Sequence, residues 1–365
     1  MERIVHDLPE FPGGLSVLRF GPPAAVSGRK AYLQAGLHAD EFPGMLVLHI
    51  LTRLLTKAET RGRLTGEIVL VPQANPIGLT QTATGFLSGR FDAVSGQNFN
   101  RGYADLSDLG PLDLGGDAAA NVATIRAAMG ARLDAMQPQG ALEGLRHRLL
   151  MLAHDADLVL DLHADNQAEP HLYIGPALWP GAQDIAAAID ARAVLLAEIS
   201  GGHPFDEACS GPWWTLAARH PDAAIPPACL ATTLELGSND DVDPARAEDQ
   251  AAALLRVLEG RGFVDGPGGQ GPLTCAATPL DAMAQIKSPV SGLVAYHCRL
   301  GDTVRQGDLL ATVIDPLGGE TELRAETSGR VFARHSQPYA WPGRVLGKIA
   351  GAAPLETRKD NLLTD

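Results

Sequence analysis

Between residue 30 and about residue 260, short apolar runs alternate with longer amphipathic ones, and that alternation leaves few folds open. Residues 31–37, 67–72, 157–162, 171–174 and 229–236 have the length and composition of strands, whereas 43–57, 121–154, 184–198 and 244–259 carry helical spacing. Strands separated by helices predict an α/β fold, a sheet with helices on both faces. In such sheets ligand-binding groups collect just beyond the carboxyl ends of the strands. Residues near those ends are therefore the first candidates for function.

At 365 residues the chain is long for one core, and a two-domain organisation is expected. Residues 260–274, GRGFVDGPGGQGPLT, are dense in Gly and Pro and read as a linker. They separate a catalytic domain over residues 1–262 from an all-β domain over 272–365, where short β-rich segments and tight turns predict a small barrel or sandwich. Lys and Arg total 29 against 43 Asp and Glu, a net charge of −14 with no basic cluster, which argues against nucleic acid or an anionic membrane as a partner. The amino terminus, MERIVHDLPEFPGG, lacks the basic and apolar regions of an export signal. The most apolar helical stretch, 45–55, is interrupted by His49, Thr52 and Arg53 and is too short to span a bilayer. Cys209, Cys229, Cys275 and Cys298 lie far apart, with no C-x-x-C pair, and read as reduced thiols of a cytoplasmic protein.

The all-β region resembles the barrel of biotinyl and lipoyl carrier domains, through Pro289-Val290-Ser291-Gly292-Leu293-Val294 followed by Gly301-Asp302-Thr303-Val304 and Gly307-Asp308-Leu309. Carriers present one modified lysine at a hairpin tip. Here Asp281-Ala282-Met283-Ala284-Gln285 has alanine at that place, and Lys287 abuts Ser288-Pro289. The expectation is the architecture without the carrier function, a cap over the active site or an assembly surface.

GLHADEFPG, residues 36–44, puts His38, Asp40 and Glu41 directly after an apolar strand. A catalytic zinc takes three His or carboxylate ligands and keeps one position for water. His38 and Glu41, three apart, can face one side of a helix-start turn, with Pro43 suited to the first turn of the helix that follows. A surface turn would look the same, so a third ligand is needed. The strand DLVLDLH supplies one, because His163 emerges at the same sheet edge, and Asp161, two residues earlier on the same face, can orient its imidazole. A capping polar pair at a strand end is the plain alternative. Glu235 interrupts the apolar run 229–236 near its carboxyl end, where a carboxylate must be paired, solvated or functional. Partly desolvated, it can serve as a general base.

Residues 74–117 form a long stretch rich in Gly, Ser, Asn and Asp without periodicity, but containing Phe86, Phe91, Phe99 and Tyr103. Loops of that length in compact domains are usually functional or disordered, and the aromatic residues favour an ordered, functional one. Asn100 beside Arg101 suits a carboxylate, and Arg90 is a candidate for polarising a carbonyl. No G-x-S-x-G elbow of a serine hydrolase occurs.

In order and spacing, His38-x-x-Glu41, Asn75-Pro76, Arg90-Phe91, Asn100-Arg101, Asp161-Leu162-His163 and Glu235-Leu236-Gly237 resemble the succinylglutamate desuccinylase/aspartoacylase family, which shares the zinc carboxypeptidase fold. The resemblance implies that His38, Glu41 and His163 hold one Zn²⁺ per chain and that Glu235 activates its water. It also implies that Arg90 polarises the scissile carbonyl while Asn100 and Arg101 bind the carboxylate of a small anionic N-acylated amino acid. The expected reaction is amide hydrolysis. Two departures stand out: Asn98 occupies a position that is usually acidic, and the interval from Arg90 to Asn100 is longer than usual. Small-peptide carboxypeptidase activity and a non-enzymatic binding role are the competing expectations, and self-association into a homo-oligomer is left open.

Overall fold

Runs such as LVLDLHA that are apolar on both faces need cover on both sides. In the computed structural model, which describes residues 1–358 and 362, they form the middle of a nine-stranded mixed sheet. The strand order is Glu2–Leu8, Phe11–Phe20, Glu67–Val71, Lys30–Ala35, Leu158–Asp165, Leu230–Ser238, His171–Ile174, Ala193–Leu196, Ala277–Pro279. The four central strands run parallel, and His171–Ile174 lies antiparallel to Leu230–Ser238. All residues of Lys30–Ala35 and Glu67–Val71 are buried.

Helices Pro43–Thr60 and Pro244–Gly260 bury Val47, Leu51, Leu55, Leu254 and Val257 against one face. Helices Ala118–Ala135, Gly140–Ala153 and Phe205–Arg219 bury Ile125, Leu149, Phe205 and Trp213 against the other. The expected α/β architecture is therefore present. Among the described residues no helix is long and apolar enough to cross a membrane.

Three local expectations need correction. The helix read over 121–154 is two helices, Ala118–Ala135 and Gly140–Ala153, because Pro138 has no N–H to continue the first and Gly140 turns the chain at φ 74°. Residues 184–198 are not one helix. A short helix, Gln183–Ala188, ends before Asp190, which sits at φ 55°, and the β-branched and leucine residues of Ala193–Leu196 then pair in parallel with His171–Ile174. The strand read over DLVLDLH starts at Leu158 and runs two residues past His163 to Asp165, held by pairing with Leu230–Ser238.

The carboxy-terminal residues form two antiparallel sheets. One contains Met283–Lys287, Val345–Gly351, Gly329–Arg334 and Thr303–Val304; the other contains Glu320–Arg324, Leu309–Ile314, Gly292–Tyr296 and Tyr339–Ala340. A two-residue strand of the amino-terminal part, Gln167–Ala168, adds to the first sheet beside Ala333 and Arg334. Ala168, Leu195, Leu280, Met283 and Phe332 make a shared apolar cluster beneath it, and Arg330 Nε meets Glu169 Oε2 at 2.6 Å. Phe332 is fully buried, its ring 4.8 Å from that of His171. Phe332→Ala should therefore cost about 3–5 kcal/mol by leaving a cavity at this seam. Denaturant unfolding checks this, as a lower midpoint at an unchanged slope.

Candidate functional site

The strand Lys30–Ala35 ends in Gly36 at φ 69°, and the turn after it delivers His38 and Glu41 to the carboxyl edge of the sheet. Pro43 opens the next helix, as its missing N–H allows. Gly44 lets that helix approach: a Cβ there would lie 3.0 Å from the Cβ atoms of both Ala35 and Leu162. His163 and Asp161 project from Leu158–Asp165, and Glu235 lies directly opposite His163 on the neighbouring strand. The three elements thus bring His38, Glu41 and His163 together, with one donor atom from each within 4.8 Å of the others.

All three side chains are buried, and their outer contacts aim the donors. His38 Nδ1 is 2.9 Å from Glu41 Oε1, and its Nε2 is 2.8 Å from Asn98 Oδ1. Asn98 Oδ1 also accepts the Asn100 N–H at 2.8 Å, which identifies it as the oxygen and places the His38 proton on Nε2. His163 Nδ1 lies 2.8 Å from Glu41 Oε2, and its Nε2 faces Asp161 Oδ2 at 3.0 Å in an ion-pair contact. Asp161 is held in turn by Gln34 Nε2 at 2.9 Å, and Gln34 Oε1 by the hydroxyl of Tyr32 at 2.7 Å. Both imidazoles therefore turn Nδ1 inward toward the Glu41 carboxylate. Two imidazole nitrogens and a carboxylate, each steadied from behind, form a donor set that fits a zinc ion.

Burial, then the positive charge of Arg90, pushes His38 down to about 4. Burial pulls on His163 in the same direction, but Asp161 and Glu41 outweigh it and hold its pKa well above the usual value. For Glu41, burial is overcome by the two histidines, and the carboxyl stays well below its ordinary range. For Glu235 the balance goes the other way: burial, then the charge of Glu41, raises it to about 8, outweighing the opposite pull of His163 and Lys348. Its Oε2 is enclosed and has no hydrogen-bond partner.

The loop over 74–117 is ordered around this cluster. Asn75 Nδ2 donates to Leu37 O at 2.9 Å, and Gly89 packs so closely on the turn that a Cβ would lie 2.4 Å from Ala39 Cβ. Phe99 and Tyr103 are buried and anchor the loop, whereas Phe86 and Phe91 are exposed. From helix Gly140–Ala153, Arg146 donates to Asn98 O at 2.8 Å. Arg90 Nη1 reaches Glu41 Oε1 at 2.9 Å and lies 3.2 Å from His38 Nδ1, so the long interval to Asn100 still leaves it at the cluster. Asn100 is buried, its Oδ1 accepting from Phe205 N at 2.9 Å and its Nδ2 facing His163 Nε2 at 3.4 Å. Arg101 donates to Asn100 O at 2.8 Å and lines the same space.

That space is a cavity of about 760 Å³ walled by both parts of the chain. From the amino-terminal part come Tyr173, Asp206, Glu207 and Trp214; from the carboxy-terminal sheets come Gln285, Arg334, Trp341 and Lys348. Lys348 Nζ reaches across to Asp165 Oδ2 at 2.5 Å, and this pairing holds the lysine above and the aspartate below their usual ranges despite burial. Asp206 and Glu207 are raised by burial, to about 6 and about 7, the former further by Asp161 and the latter by Asp206. None of these wall residues is reached by reading local spacing. Asn98 was within reach, as a polar residue flanking the Asn-Arg pair.

Donor groups at the carboxyl ends of parallel strands, in a cavity closed by a second set of sheets, place the chain among α/β enzymes that work at that edge. The chain belongs to the succinylglutamate desuccinylase/aspartoacylase family, whose catalytic-domain model matches residues 27–261. It is similar in structure to a protein ascribed to that family from Shewanella amazonensis SB2B, with 28% identity, a TM-score of 0.83, and 96% of this chain and 98% of that one covered. A protein of the same description from Shewanella frigidimarina NCIMB 400 is 23% identical, with a TM-score of 0.79 over 97% and 98% of the two chains. The fold is also shared with the product-bound ectoine utilization protein EutE (DoeB) from Ruegeria pomeroyi, at 20% identity and a TM-score of 0.66 over 96% and 94%. No curated protein matches the chain.

Proposed function

We propose that this deacylase-family chain is a zinc-dependent amidohydrolase that releases the free amine from a small N-acylated amino acid. The observation that carries the reading is the enclosed, unpartnered Oε2 of Glu235 lying beside the His38, Glu41 and His163 donors. Those three residues would hold the zinc, which when bound supplies Lewis acidity and lowers the pKa of a coordinated water.

The chain's own groups do the rest. Glu235 takes a proton from the attacking water and passes it to the leaving nitrogen as the C–N bond breaks, giving an acid and an amine. Glu235 accepts the proton in its ionised form, which the positive charges of His163 and Lys348 favour against burial and Glu41. Arg90, already directed at Glu41, stabilises negative charge as it develops on the carbonyl oxygen. Arg101, backed by Asn100, binds the substrate carboxylate.

A cavity walled by the carboxy-terminal sheets favours a small substrate over an extended peptide, and so favours this reading over a carboxypeptidase. The four free cysteines suit a cytoplasmic setting. The test is metal analysis followed by a screen of N-acetyl, N-succinyl and N-formyl amino acids for amine release. About one zinc per chain and turnover of at least one class are expected. A protein that takes up no metal, or that releases amine from none of them, overturns the proposal.

A further inference from the structure

The strand Met283–Lys287 shows two faces. Ala284 and Ile286 pack inside the carboxy-terminal sheets, whereas Met283 joins the apolar cluster at the seam. By alternation Gln285 points the same way as Met283, toward the amino-terminal part, and it lines the cavity described above. Its cross-strand partner is Lys348, whose ammonium crosses to Asp165 at the edge of the site.

Gln285 is only 9% exposed, and its Oε1 is enclosed without a hydrogen-bond partner. Among the described residues its side chain makes no hydrogen bond to the protein, unlike Gln34 and Gln250, two other buried glutamines, which donate to Asp161 and Leu236 O. Leaving a buried amide unpaired costs free energy that an apolar side chain of the same shape would not. A glutamine held in that position, facing the cavity, is placed to pair with something that enters it.

We infer that Gln285 is a specificity-determining residue, one that hydrogen-bonds a neutral donor-and-acceptor group of the substrate, a carboxamide or a hydroxyl on its amino-acid part. A carboxamide side chain offers N–H and C=O together and is met by a group that offers both. The ammonium of Lys348 next to it disfavours a cationic partner. The inference rests on the deacylase reading and adds to it which part of the substrate the carboxy-terminal sheets recognise.

Gln285→Met preserves the length of the side chain and removes its polarity. The test compares wild type and variant on the N-acyl derivatives of glutamine and serine against that of alanine, each carrying the acyl group that the wild type hydrolyses, alongside thermal unfolding and metal content. The expected result is a fall of about 10–100-fold in kcat/KM for the glutamine and serine substrates, the cost of one or two hydrogen bonds. Alanine turnover should change by less than about twofold, metal content should stay the same, and the unfolding temperature should hold or rise because an unpaired amide has gone. Equal loss on all three substrates, no loss on any, or a fall in unfolding temperature would overturn the inference while leaving the deacylase reading intact. Failure of the wild type to hydrolyse any of the broader N-acyl amino acid series overturns the deacylase reading itself, and the inference with it. Gln285→Leu, read in the same way, guards against a folding defect peculiar to methionine.

Discussion

Replacing Glu235 by glutamine is expected to lower amide hydrolysis by about 10²–10⁴-fold, the usual contribution of a positioned acid–base group, while bound metal and fold are retained. Glutamine fills the same volume but cannot take up a proton. The fold should tolerate the exchange because Glu235 Oε2 has no hydrogen-bond partner to lose and its carboxyl is raised by burial, so that holding the charge there is unfavourable. The measurement is kcat with metal content determined on the same samples. A variant that binds zinc and turns over at the wild-type rate would place the base elsewhere.

His163→Ala should do something different, removing the metal and weakening the fold together. The imidazole offers Nδ1 to the cluster, and losing a direct ligand should exceed the about 10–100-fold drop in metal affinity that follows loss of a supporting residue. In the metal-free protein, Glu41 Oε2 would keep only the Ala164 N–H at 3.0 Å in place of that bond and the imidazole at 2.8 Å. Arg90 and His38 stay on its Oε1, so the loss of stability should fall below the about 3–5 kcal/mol of a fully uncompensated buried charge. Zinc titration and denaturant unfolding without metal measure the two effects separately. Unchanged zinc affinity would remove His163 from the ligand set, whatever the stability.

The central strands were legible because a strand buried on both faces must be a continuous apolar run, and residues 67–71 and 158–162 can be little else. Residues 184–198 misled because alanine-rich stretches carry no β signal, while the pairing of Ala193–Leu196 with His171–Ile174 is set by tertiary context. The helix Phe205–Arg219 escaped because Gly211, Pro212 and two tryptophans interrupt its spacing. The amino-terminal hairpin, Glu2–Leu8 with Phe11–Phe20, escaped as well, since Pro9, Pro12 and paired glycines hide its alternation.

In the site, the His38-x-x-Glu41 pair and the strand carrying Asp161 and His163 could be read because each sits at the end of one apolar element. Gln34 could not be given its supporting part, since it acts on Asp161, 127 positions away, and Tyr32 supports the site only through Gln34; Asn98 stood out beside the Asn-Arg pair, but its partner His38, 60 positions away, could not be named from there. Asn98 stands where an acidic residue is usual, and its amide oxygen still accepts the Nε2 proton of His38, so the departure does not open the cluster. Gln285 and Lys348 were beyond reach for a simpler reason: nothing local shows which face of a carboxy-terminal strand will meet a cavity.

The wall that those two residues build has a consequence for how the protein comes into being. His38, Glu41 and His163 all leave the ribosome before residue 170, but Gln285 and Lys348 follow more than a hundred residues later. Synthesis thus delivers the site in two stages, donors first and chamber second. Until the strand Val345–Gly351 pairs with Met283–Lys287, a nascent chain has its donor residues but not the wall that encloses the space beside them.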